Sequence, residues 1–118
     1  MDLDVLAEAW RGRMARQRVI RLKRANEARD AARRAAIVLR AEFAVEEVWL
    51  FGSLVSGPRH DAFDIDLAVR GLQPDLYYEA LSRVSDLVGG PVDLVQLESC
   101  SDRLRHTVAT TAERIDHG

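Results

Sequence analysis

Val48-Trp49-Leu50-Phe51-Gly52-Ser53, then ten residues, then Asp64-Ile65-Asp66-Leu67-Ala68-Val69: the reading of this stretch decides the fold. The first four residues form an apolar run too short for a helix, and Gly-Ser ends it, so a buried strand is expected. The second run alternates. Asp64 and Asp66 share one face, with Cα atoms ~6.6 Å apart, while Ile65, Leu67 and Val69 take the other and can bury it. A strand that turns into a short helix at Gly52-Ser53 leaves its first amides unpaired, which attracts anions. Gly52 leaves room for a phosphate to approach the backbone, and Ser53 adds a hydroxyl donor. Two close carboxylates are poorly tolerated without a cation, and hard divalent ions such as Mg²⁺ suit oxygen ligands. An anion site thus adjoins a metal site. Each feature alone has a plainer reading: Ser53 as a helix cap, and the acids as a solvated strand face.

Outward from that core, the elements alternate. Pro74 opens a helix through Leu76, Tyr77, Ala80, Leu81, Val84 and Leu87, and Gly89-Gly90 stops it. Pro91 to Leu97 reads as a third strand carrying Asp93, either a third member of the carboxylate cluster or a rim residue. Ser99 or Ser101 caps a last helix with Leu104, Val108 and Ala112. Ahead of everything, Leu3 to about Glu42 lacks proline and is rich in alanine and arginine. Its apolar positions step by three and four, so a helix is expected, which either bends or continues straight where the stripe weakens between Arg16 and Arg24. Unbroken, about 38 residues would reach about 57 Å, beyond the radius of so small a body. Residues 1–26 are expected to overhang as an arm that seeks a partner, and 27–118 to form the domain.

The chain has 118 residues, 47% apolar and 31% charged, the composition of one globular domain. Residues 1–40 hold eleven Lys/Arg against five Asp/Glu, and residues 41–118 hold six against fourteen. A basic arm on an acidic body calls for something negative: nucleic acid, an acidic partner or a second copy. Nucleic acid is the lesser expectation, because the chain lacks aromatic platforms. One cysteine, Cys100, excludes an internal disulfide and a cysteine-based zinc cluster. No run suits a membrane span or a signal h-region, and the reducing cytoplasm is the expected compartment. The three histidines show no metal-ligand spacing.

The pattern G-S-x10-D-x-D with a later strand aspartate, over roughly residues 36 to 98, resembles the nucleotidyltransferase superfamily of the DNA polymerase beta type. More narrowly it resembles the minimal nucleotidyltransferases (MNT). The resemblance implies an α/β (α+β) fold: a small mixed sheet of three or four strands covered by helices, here with a long N-terminal helix. It implies that Gly52, Ser53, Gly57 and Arg59 contact nucleotide phosphates. It implies that Asp64, Asp66 and Asp93 bind one or two Mg²⁺ and are catalytic, with ATP as substrate. Bacterial MNT proteins often pair with HEPN toxins and silence them by attaching AMP to a tyrosine, so an antitoxin role is implied. The loop Leu54 to Asp61 departs from family habit, with Arg59 its only cation. That departure keeps open the alternative of a catalytically weak module that neutralises its partner by binding.

Overall fold

The computed structural model describes residues 2–52, 55 and 64–116. Helix α1 spans Leu3–Phe43, 41 residues without interruption. Asp2 caps it, accepting from the Asp4 N–H at 2.9 Å, and Ala44 ends it in the left-handed region at φ 55°. The helix continues unbroken between Arg16 and Arg24, where the apolar stripe weakens. Arginine, glutamine and leucine are strong helix formers, and no proline interrupts the ladder. Only its C-terminal part is buried, through Ala31, Ala32, Ala35, Ala36 and Leu39. Small residues at four of those five positions let the helix lie close to the sheet. The rest overhangs: the molecule measures 64 × 29 × 24 Å, with a radius of gyration of 17.8 Å. A compact chain of this length would have about 13 Å.

The sheet contains β1 (Glu47–Phe51), β2 (Ile65–Arg70), β3 (Val92–Gln96) and β4 (Glu113–Arg114), in the order β3-β2-β1-β4. β1 runs antiparallel to β2 and β4, whereas β3 runs parallel to β2. A 3₁₀ turn at Pro74–Leu76 leads into α2 (Tyr77–Val88), which makes the crossover between the parallel pair and ends at Gly89. Helix α3 (Asp102–Thr111) follows, and of the two serines proposed as its cap, Ser101 does it, accepting from the Leu104 N–H. The mixed four-stranded sheet with helices on it agrees with the expected α/β architecture. No helix among the described residues is long and apolar enough to cross a membrane.

Both faces of the sheet are covered, and by different helices. Val48, Leu50, Ile65, Leu67, Val69, Val92 and Leu94 pack against α1 and α2. On the other face Ala68, Trp49, Phe51 and Val95 pack with Leu97, Leu104 and Val108 under α3. Leu39 is fully buried, at the join of α1 with the sheet. Leu39→Ala is expected to cost about 3 kcal/mol, by loss of transfer energy and a residual cavity. Urea unfolding would read it, and a cost under about 1 kcal/mol would mean that α1 docks elsewhere.

Strand β4 carries no strand signal, being two charged residues. It forms because a clasp holds the chain there. The Ile115 N–H donates to Val48 O at 2.9 Å, and Asp116 accepts from the Val48 N–H at 3.1 Å and from Arg114 Nε at 2.8 Å. Arg40 of α1 donates to the Asp116 carbonyl at 2.7 Å. Burial works to raise the Asp116 carboxyl, but the Arg114 and backbone hydrogen bonds outweigh it and hold it below its ordinary value.

Candidate active site

Parallel pairing of β2 with β3 sets Asp66 beside Asp93, in a register that runs Ile65↔Val92, Asp66↔Asp93, Leu67↔Leu94. Side chains at paired positions of neighbouring strands point to the same face. Both acids therefore lie on the α3 side, at the end of the sheet where both strands begin. Ile65, Leu67 and Val92, Leu94 fill the opposite face with core, which fixes the phase of both strands.

The pair is in contact. Asp66 lies beside Asp93, and its carboxyl is pushed up to about 6. Burial is the largest cause, followed by the adjoining Asp93 carboxyl and then by the charge of Asp64. Asp93 and Asp64 are exposed, and Asp64 stands just before β2. One half-buried carboxyl thus sits between two acids open to solvent.

Gly52 closes the other side. β1 pairs Phe51 with Asp66, and the next residue turns away at φ +82°, with the Val55 N–H donating back to Gly52 O at 3.1 Å. A Cβ on Gly52 would lie 2.0 Å from Asp66 Oδ2 and 2.9 Å from its Cγ. The turn therefore lies directly against the Asp66 carboxylate, as an anion site beside a metal site requires. Ser53, Gly57 and Arg59, the other three expected phosphate contacts, lie outside the described residues.

Phe51, Asp66, Tyr77, Asp93, Val95 and Leu104 line a cavity of about 360 Å³ beside the acids. A larger one, about 500 Å³, lies on the α1 side between Arg24, Arg34 and Pro91 and contains none of the three acids. We assign the site to the smaller one, because the carboxylates are there. Tyr77 carries a role that its sequence position did not reveal. Its hydroxyl donates to Leu94 O at 2.6 Å, tying α2 to the β3 strand that carries Asp93. Burial first, then Tyr78 and Asp93, raises that phenol above its ordinary value. Tyr77 packs against the core, whereas its neighbour Tyr78 is exposed.

Among the described residues the donor set fits a hard divalent cation: three carboxylates, one of them a carboxyl whose ionisation is opposed until a cation arrives. Among the described residues no three acidic, histidine or cysteine side chains form a ready-made cage. The fit therefore rests on the Asp66–Asp93 pair, with Asp64 as the nearby third donor.

The polymerase beta nucleotidyltransferase family model matches residues 35–116. Among solved structures, the toxin–antitoxin MntA-HpeT, in a mutant form, is 28% identical with a TM-score of 0.58, over 66% of each chain. A toxin–antitoxin with AMP-PNP is 28% identical with a TM-score of 0.61, over 70% of this chain and 71% of that one. A protein described as a minimal nucleotidyltransferase is 29% identical with a TM-score of 0.59, over 71% of this chain and 89% of that one. The match thus spans about two thirds of the MntA-HpeT chain's length. None of the curated proteins matches this sequence. With the family model covering most of the chain and the fold shared with these structures, this chain belongs to the polymerase beta-type nucleotidyltransferase family.

Proposed function

We propose that this chain is a Mg²⁺-dependent nucleotidyltransferase that moves AMP from ATP to a tyrosine hydroxyl of a HEPN-type toxin, and so acts as its antitoxin. The observation that carries this reading is the Asp66–Asp93 contact with Gly52 packed against it. AMP-PNP in a toxin–antitoxin structure 28% identical to this chain supports the choice of nucleotide. The MntA-HpeT toxin–antitoxin supports the class of partner.

Asp64, Asp66 and Asp93 are the residues that would hold magnesium, which when bound neutralises triphosphate charge and eases ionisation of the attacking hydroxyl. The remaining work belongs to the chain itself. The Gly52-Ser53 turn receives the triphosphate, with no Cβ on Gly52 to block it. Asp93, on the exposed side of the pair, accepts the proton of the acceptor hydroxyl. The acceptor oxygen bonds to the α-phosphorus as the bond to the bridging oxygen breaks, and pyrophosphate leaves with that electron pair. Phe51 and Leu104 form an apolar wall beside this step.

Incubation with labelled ATP, Mg²⁺ and a co-expressed HEPN-type toxin is expected to label the toxin. The combined Asp64→Asn and Asp66→Asn variant is expected to abolish that label. Should this variant silence the toxin as well as the wild type does, the chain acts by contact alone and the transferase reading fails.

A further inference from the structure

The family match begins at residue 35, so most of α1 lies outside it. The free part of that helix has two properties that bear on each other. Leu3, Leu6, Trp10 and Met14 step by three, four and four, the 11-residue variant of a coiled-coil seam. They are 78%, 51%, 59% and 41% exposed, a larger apolar stripe than a solitary surface helix ordinarily leaves to water. Further along the same face lie Ala28, Ala32, Ala35 and Leu39, which pack on the body.

The charges of the arm are sorted along its length. Residues 1–10 hold Asp2, Asp4 and Glu8 with no base, while residues 11–24 hold seven Lys/Arg with no acid. A parallel copy would lay bases on bases. An antiparallel copy lays the acidic end of each arm along residues 18–26 of the other, and leaves only Arg11, Arg13 and Arg16 facing bases at the crossing. The length agrees too. With the crossing at Met14, residue 2 meets residue 26, so pairing fills the arm and ends about where Ala25 and Ala28 begin to pack on the body. That is about 25 residues, or about 38 Å of helix. An unrelated acidic helix would attract the basic segment but would repel Asp2, Asp4 and Glu8.

We propose that the free half of α1 is a seam for the same segment of a second copy, running antiparallel and crossing near Met14. Gln17 and Arg21 fall within the stripe and set the register, as polar seam residues do. This assembly is independent of whether the active site turns over.

Analytical ultracentrifugation of the full chain, at roughly tens of micromolar, is expected to show a dimer. Leu6→Asp with Trp10→Asp should give a monomer with the body's thermal transition unchanged. Asp4→Lys with Glu8→Lys should weaken the dimer at least about tenfold, and adding Arg18→Glu with Lys23→Glu should restore it. Orientation is read by oxidation in a Cys100→Ser background: Met14→Cys should crosslink two chains and Leu6→Cys should not. A monomeric wild type, a dimer indifferent to the charge variants, or Leu6→Cys crosslinking as readily as Met14→Cys would each overturn the proposal. So would a monomeric arm that instead captures the toxin.

Discussion

Asp66→Asn is expected to lower AMP transfer by about 10³-fold or more while the fold stands. Asparagine has the same shape but no charge, so it keeps the register with Phe51 and Asp93 and loses the central anionic donor. A thousandfold loss corresponds to about 4 kcal/mol of transition-state stabilisation, within what a metal-holding carboxylate supplies. The same variant has an opposite effect on the metal-free protein. The Asp66 carboxyl has an ordinary value of 3.8 and is pushed up to about 6 in the folded chain, so between these values the folded state binds more protons than the unfolded one. For this group stability therefore falls as pH rises from about 4 to about 6, and the penalty is fully present at pH 7. Because Asp66 is only partly buried, solvent screening reduces that penalty to on the order of 1 kcal/mol. Metal-free Asp66→Asn should thus melt at or above the wild type at pH 7, and below the Mg²⁺-loaded wild type. The Mg²⁺-induced rise in melting temperature should shrink as pH falls below 6, when Asp66 holds its proton. Equal Mg²⁺ shifts in wild type and variant would show that the cation binds elsewhere.

The direction of the β2 acids is legible in the sequence, because the apolar alternation of that strand fixes it. Asp64 and Asp66 sit out of phase with Ile65, Leu67 and Val69, so the burial of one set fixed the direction of the other. The strand parity of Asp93 was harder to read. Val95 and Leu97 share its side and are apolar, which is explained by α3 covering that face further along. β1 showed no phase at all: Val48 and Leu50 face α1 while Trp49 and Phe51 face α3, so burial on both sides erased the alternation. The short strand β4 was invisible because its cause lies in distant partners, Val48 and Arg40, rather than in Glu113 and Arg114 themselves. Tyr77 escaped for the same reason. Its hydroxyl finds a carbonyl seventeen residues away, across a crossover that only the parallel pairing brings near. Local rules located the charges, and tertiary closure determined what surrounds them.

Gly52→Ala is expected to be strongly damaging to both stability and transfer, and Gly89→Ala is its control. Both glycines have left-handed φ, +82° and +79°. An alanine in that region costs about 1–2 kcal/mol of backbone strain at either place. The surroundings differ. Nothing lies within 4 Å of a Cβ at Gly89, whereas one at Gly52 meets Asp66 Oδ2 at 2.0 Å. That contact cannot be relieved by a flexible tip, because the same Cβ would also crowd Asp66 Cγ and Cβ, on a short side chain rooted in β2. Either the turn lifts or the Asp66–Asp93 pair is pushed apart, and both displace the phosphate site from the metal donors. Gly52→Ala should therefore lose about 2–4 kcal/mol in urea unfolding and on the order of 100-fold in transfer rate. Gly89→Ala should lose about 1–2 kcal/mol and keep its rate. Restoring room by combining Gly52→Ala with Asp66→Gly should recover part of the lost stability but none of the activity, because the donor is gone. If instead Gly52→Ala turned over like Gly89→Ala at matched folded fraction, the turn would not be the phosphate's seat, and the anion site would have to be sought away from Asp66.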